Sequence, residues 1–134
     1  MNTAEQLELD EAYLHLNYWQ RQLRLDQLDI EIVLMRPNEK KGRLADCKAA
    51  PPYNRQTIRI RHPDDRPASD TRDFNLELEV VLVHELLHTK EIPWRDHPKV
   101  SLAIDKDEWL KQLHEDSLDA VAEALVRARR GILR

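Results

Sequence analysis

The spacing of apolar residues changes twice along this 134-residue chain, and that change limits the possible folds more than any other feature. Over residues 4–27 the apolar residues recur every three or four positions, as they do on an amphipathic helix. Over residues 30–61 they tend to alternate with polar residues, which is typical of half-buried strands. From about residue 73 the helical spacing returns. The order helix, strands, helices predicts an α+β domain.

The same periodicity gives element boundaries. We predict helices over residues 4–27, from about 73, and over 105–130, with strands over 30–35, 44–49 and 57–61. Residues 92–104 are predicted to be a loop, because they contain Pro93 and Pro98. The last helix is expected to end before Gly131, the residue type that most often follows a helix. The length suits one domain that spans residues 1–134.

Composition argues against several classes of protein. Charged residues make up 34% of the chain and the mean hydropathy is −0.70, and no apolar run approaches the length of a membrane span. The acidic N-terminus lacks the apolar core of a signal peptide, and Cys47 is the single cysteine, so we expect a cytoplasmic protein without disulfides. A net charge of −4 gives no reason to expect a nucleic-acid partner. No feature predicts an oligomeric state.

One motif carries metal chemistry: His84-Glu85-Leu86-Leu87-His88, an HExxH sequence. On a helix, residues four apart share a face, so both imidazoles can bind one metal ion. Glu85 is rotated by about 100° from His84, which puts it where a base could take a proton from an activated water. A single histidine on an apolar face is ordinarily a neutral core residue, but two of them beside a glutamate favour a metal site.

A zinc site needs a third protein ligand, and the sequence offers several. The metzincin pattern would continue with Gly at position 91 and His at position 94, where this chain has Glu91 and Trp94. His97, in the predicted loop, and His114 stay open as ligands. The last helix offers Glu115, which a metal would neutralise on a partly apolar face.

Asp119 lies one helical turn after Glu115, on the same face of the last helix. A carboxylate there could accept the N–H of a ligand histidine and so fix its tautomer.

HExxH followed on a later helix by Glu115-Asp116-Ser117-Leu118-Asp119 resembles the gluzincins, the thermolysin-like zinc metallopeptidases. The chain length is similar to that of the minigluzincins and of small phage-type metallopeptidase-like proteins. The resemblance covers about residues 30–130, although only the two helical motifs are specific. It implies a zincin-like fold with an N-terminal helix, a small three-stranded sheet, an HExxH active-site helix and a C-terminal helix that carries the third ligand.

The resemblance also assigns roles to residues. It implies that His84, His88 and Glu115 bind Zn²⁺, that Glu85 is the general base, and that Asp119 accepts the N–H of His84. The expected activity is that of a zinc-dependent metallopeptidase, which hydrolyses peptide bonds of a peptide or protein substrate with an activated water molecule. Two alternatives stay open. One is a zinc-binding regulatory or scaffold protein with this fold and no peptidase activity, and the other is a purely structural zinc site.

The substrate side of the site is less specific. The resemblance implies that the strand before the HExxH helix, residues 57–62, is the edge strand that holds an extended peptide. A nearby basic cluster could favour acidic substrates or could be a solvated face: Arg55, Arg59, Arg61, Arg66 and Arg72. Large gluzincins stabilise the oxyanion from a second lobe, for which this chain has no room. The candidates for that task here are His114, Tyr53 and His62.

Overall fold

The computed structural model describes residues 2–37, 45–49, 55–65, 74–95, 99, 103–104 and 106–131. Its elements in chain order are α1 (Thr3–Gln22), β1 (Asp29–Leu34), β2 (Ala45–Ala49), β3 (Arg55–Ile60), a short 3₁₀ helix (Pro63–Asp65), α2 (Phe74–Arg95) and α3 (Glu108–Arg130). Three long helices and a small sheet make an α+β domain, which confirms the predicted class. None of the described helices is long and apolar enough to cross a membrane.

The three strands form one mixed sheet in the order β1-β3-β2. β1 runs parallel to β3, from the pair Asp29 and Arg55 to the pair Leu34 and Ile60. β2 runs antiparallel to β3. Because β3 is the central strand, the expectation that residues 57–62 form the edge strand is wrong. That expectation came from the gluzincin resemblance, whereas the alternating burial of β3 indicates only that one face of the sheet is exposed.

The core lies between one face of the sheet and the helices. Ile58 and Ile60 of the central strand are 0% and 1% exposed. The side chains packed with them come from all three helices and from β1: Leu16 and Trp19 of α1, Ile32 of β1, Leu82, Val83 and Leu86 of α2, and Ala122 and Val126 of α3. The HExxH helix and α1 therefore pack on the sheet, and α3 packs on the HExxH helix.

The first helix ends at Gln22, five residues before its predicted end. Arg24 has a φ of 58°, in the left-handed region, so the helical path stops there. The side-chain amide of Gln20 then donates to the carbonyls of Leu25 and Leu28, at 3.0 Å each. This side chain closes the turn into β1, and helical periodicity alone could not predict it.

The HExxH helix is longer than predicted, since α2 continues to Arg95 and includes Pro93. The predicted loop over residues 92–104 therefore begins too early. Pro93 has no N–H to donate to the carbonyl of Thr89, and its ring crowds that carbonyl. The helix ends two residues later, at Arg95.

The boundaries of the last helix follow from its caps. The side chain of Asp107 accepts hydrogen bonds from Trp109 N and Leu110 N at 2.9 Å and 3.1 Å, so α3 begins three residues later than predicted. Gly131 ends the helix with a φ of 69°, in the left-handed region that glycine adopts without strain. The predicted end of the helix is confirmed.

A side chain from the first helix covers the outer edge of β1. The hydroxyl of Tyr13 accepts a hydrogen bond from Ile32 N at 2.9 Å and donates to Ile32 O at 3.4 Å. Both backbone groups of the residue are thereby paired with a side chain and not with a further strand.

Candidate metal centre

The candidate metal centre lies between α2 and α3, which pack against each other as an antiparallel pair. Near the start of α2, Glu79 contacts Arg130 at the end of α3. Further along α2, His88 contacts Glu115, near the start of α3. Residues 27 and 51 positions apart in sequence therefore meet, because the two helices run in opposite directions.

The donor atoms of three side chains converge in this groove. His84 Nε2 lies 3.1 Å from His88 Nε2 and 3.0 Å from Glu115 Oε2. His88 Nε2 lies 3.1 Å from Glu115 Oε1. Within the part of the chain that the structure describes, these three residues are the group of acidic, histidine or cysteine side chains arranged to hold a metal ion.

The spacing of the donors fits a zinc ion. Four ligands at 2.0–2.1 Å from a tetrahedral zinc are separated from one another by about 3.3 Å. The two ring nitrogens lie 3.1 Å apart and each lies 3.0–3.1 Å from one of the two oxygens of Glu115, which is close to that edge length. Two imidazoles and one carboxylate also form a donor set that catalytic zinc sites use, since it leaves a fourth position open. The residues present therefore fit the metal that the sequence predicts.

The electrostatics of the three side chains agree with a cation site. Burial lowers the pKa of the His84 imidazole, but the hydrogen bond to Glu115 and the nearby carboxylates Glu85 and Asp119 outweigh it, so the pKa is raised overall. Hydrogen bonds from His84 and His88 hold the pKa of the Glu115 carboxyl far below its usual range. The groove thus stabilises positive charge beside the ionised carboxylate of Glu115. A divalent cation bound there would supply that charge in place of protons on the histidines.

Asp119 lies behind His84. Its Oδ1 is 2.7 Å from His84 Nδ1, at ion-pair distance but without the alignment of a hydrogen bond. An Nδ1 proton shared with Asp119 would leave the Nε2 lone pair of His84 facing the groove, where a metal ligand needs it. The Asp119 side chain is 68% exposed, so water competes for this contact and reduces its strength.

Glu85 follows His84 on α2 and is 8% exposed. Its backbone carbonyl accepts a hydrogen bond from Thr89 Oγ1 at 3.3 Å. The same hydroxyl donates to Gln56 Oε1 of β3 at 2.5 Å, and both side chains are buried. This buried contact ties the HExxH turn of α2 to the central strand. A polar residue in phase with Ile58 and Ile60 is the signal in the sequence that could have revealed Gln56.

The other sequence candidates divide into three groups. The ring of His114 lies 5.7 Å from the ring of His88, so this half-buried histidine borders the site. His62 lies beyond the end of β3, where its contacts are to Asp64 and Glu5 and not to the proposed ligands. Tyr53 and the alternative ligand His97 lie outside the described residues.

The two arginines of the basic cluster that lie on β3, Arg55 and Arg59, do not line the groove. On β3 the buried positions Gln56, Ile58 and Ile60 face the helices, so Arg55 and Arg59 point to the other face of the sheet. Arg55 there lies 3.4 Å from Asp29 of the neighbouring strand. The arrangement favours a solvated face over a preference for acidic substrates, while Arg66 and Arg72 lie outside the described residues.

Comparison with protein families, with curated proteins and with solved structures finds no match for this chain. The gluzincin resemblance consequently rests on two short helical motifs. Any assignment of function must be argued from the geometry and chemistry of the described residues.

Proposed function

We propose that this protein is a zinc-dependent metallopeptidase of the gluzincin type, with a zincin-like fold, that hydrolyses peptide bonds. The observation that carries the proposal is the convergence of His84, His88 and Glu115, whose donor atoms lie 3.0–3.1 Å apart across two helices. Asp119, at the far nitrogen of His84, supplies the outer contact that metal-ligand histidines commonly have.

The three ligands and Glu85 have different roles in the proposed hydrolysis. Zinc held by the three ligands would supply a Lewis acid that polarises the scissile carbonyl and acidifies the attacking water. Glu85, one position after a ligand, takes the proton from that water and passes it to the leaving amine.

A peptide substrate needs a strand edge to bind in extended form. Among the described strands, β2 is an edge strand, it runs antiparallel to the central strand, and it packs against α2. A peptide could add to β2 by backbone hydrogen bonds beside the HExxH helix. In this proposal β2, and not residues 57–62, is the edge strand that holds the peptide.

Zinc content tests the first half of the proposal. We expect purified protein to contain one tightly bound zinc per chain, because three protein ligands make a complete catalytic site. Metal analysis measures the ratio, and a chelator should remove zinc and peptidase activity together, with both restored by added zinc. Protein that contains no zinc when purified and binds none when zinc is added would contradict the proposal.

The outer contact of His84 gives a second prediction. Asp119→Ala should weaken zinc binding by about tenfold, at the low end of the 10- to 100-fold range for such partners, because Asp119 is largely exposed. Asp116→Ala is the matched control, since Asp116 accepts a hydrogen bond from Gln112 on its own helix. Chelator competition measures both affinities. Equal affinities would show that Asp119 does not support His84.

A further inference from the structure

A buried carboxylate outside the metal centre joins all three helices. Glu79 of α2 is 1% exposed and lies five residues before His84. Its Oε2 accepts hydrogen bonds from Trp19 Nε1 of α1, at 2.6 Å, and from Arg129 of α3. Its Oε1 accepts one from Arg130 Nε of α3, at 2.7 Å. We refer to Glu79, Trp19, Arg129 and Arg130 as the Glu79 junction.

Further contacts orient the two arginines of the junction. Arg130 Nη2 also donates to Asn75 Oδ1 of α2 at 2.6 Å, and Asn75 Nδ2 donates to Glu11 of α1 at 2.8 Å. The guanidinium carbon of Arg129 lies 3.6 Å from the ring centroid of Tyr18, a cation–π contact. Each arginine is therefore held at more than one point and cannot follow a sliding helix freely.

The negative charge of Glu79 makes the junction sensitive to the positions of its hydrogen-bond partners. Burial raises the pKa of Glu79, but hydrogen bonds from Trp19, Arg130 and Arg129 outweigh it, so the pKa is lowered overall. The carboxylate is ionised at neutral pH. A buried ionised group is tolerated only while its partners stay in place, so a shift of α3 that separated them would be strongly unfavourable.

The apolar strip of α3 is narrow. Among its described residues, the fully buried ones are Ala122 and Val126, both 0% exposed, and the half-buried Leu125 packs beside them. The hydrogen bonds of the Glu79 junction add to this strip at the end of the helix. A shift by one residue would move Glu115 by about 1.5 Å along the axis and turn it by about 100°, away from the histidines.

We propose that the Glu79 junction sets the axial and rotational register of α3 on α2 and thereby holds Glu115 within reach of His84 and His88. Glu79, Arg129 and Arg130 are then positioning residues for the metal site, which lies about 21 Å along α3 from Arg129. Fixing register is the best-attested use of buried polar groups between helices. The inference rests on the proposed zinc site.

A pair of arginine variants from the same turn of α3 tests this inference. Arg130→Gln removes a donor to Glu79, whereas Arg127→Gln removes an ion pair with Glu123 inside α3, at 2.9 Å. We expect Arg130→Gln to weaken zinc binding by about 10- to 100-fold, as loss of an outer partner does. Arg127→Gln should stay within about twofold of wild type, because exposed pairs contribute little. Arg130→Lys, which keeps the charge, should lie between.

A second experiment, made in the Glu115→Ala protein, distinguishes loss of positioning from general destabilisation of the fold. In Glu115→Ala protein, Arg130→Gln should cause no further loss of zinc affinity, because the ligand it positions is already absent. A variant that merely destabilised the domain would lower zinc affinity in both backgrounds. Chelator competition measures all the affinities, on protein that circular dichroism shows to be folded. If Arg130→Gln does not fold, Arg129→Gln, whose side chain is 31% exposed, replaces it.

The outcomes distinguish the two proposals. Wild-type protein that binds no zinc overturns both the zinc site and the register role. Wild-type protein that binds zinc, with Arg130→Gln indistinguishable from Arg127→Gln, overturns the register role alone. The register role is also overturned if Arg130→Gln lowers zinc affinity equally with Glu115 present and with Glu115→Ala.

Discussion

Glu85→Gln is expected to lower kcat for peptide cleavage by about 10²- to 10⁴-fold, the usual contribution of a general acid–base residue. The amide keeps the size of the carboxylate but cannot accept the proton of the attacking water. Because Glu85 contributes no atom to the donor group of His84, His88 and Glu115, zinc binding should be unchanged. Cleavage of a peptide library, followed by mass spectrometry, measures the first effect, and metal analysis measures the second.

The zinc content of the same variant is the control for its activity. A variant that keeps zinc and its fold but loses cleavage supports the assignment of the base. Undiminished cleavage by the zinc-loaded variant would show that another group accepts the proton. If zinc-loaded wild-type protein cleaves no peptide in the library, the peptidase proposal fails, and the zinc-binding regulatory or scaffold protein becomes the better hypothesis.

Glu115→Ala should produce the largest loss of zinc affinity, more than about 100-fold, because it removes a direct ligand, whereas loss of an outer partner alone costs about 10- to 100-fold. Glu123→Ala is a close control. The two side chains are 45% and 48% exposed on the same helix, but Glu123 pairs with Arg127 of α3 and not with a histidine. Chelator competition on both variants gives the ratio.

The result for Glu115 also decides between ligand sets. Equal zinc affinity for wild type and Glu115→Ala would transfer the third ligand to His97 or His114 and would remove the gluzincin assignment. A loss confined to Glu115→Ala, with Glu123→Ala unchanged, would support the carboxylate ligand. In that case the fourth position stays available for a water molecule.

Local signals in the sequence predicted the parts of the structure that local interactions determine. The spacing of His84 and His88 requires only one turn of helix, and Gly131 ends α3 because of its own backbone freedom. The approach of Glu115 to those histidines involves two helices. It could be predicted only through the gluzincin resemblance, because spacing within either helix does not show which helices meet.

Interactions between distant residues were beyond prediction. Glu79 is an ordinary charged helix residue in the sequence, since its partners Arg129 and Arg130 come 50 and 51 positions later. The order of strands has the same origin: β3 pairs with β1 although β2 lies between them in sequence, and no alternation pattern contains that information. Gln56 is the exception, because its inward phase on β3 was visible and its buried contact with Thr89 could have been anticipated.

The hydroxyl of Tyr13 occupies the outer edge of β1, so a further strand could not pair there without displacing it. A strand that approached β1 from outside would have to displace this hydroxyl from both backbone groups of Ile32, at the centre of the six-residue strand. Exposed strand edges are the places where chains join one another and aggregate, and proteins commonly block them. A single side chain, that of Tyr13, thus blocks the β1 edge of the three-stranded sheet at Ile32. The edge that stays open among the described strands is that of β2, which packs against the HExxH helix.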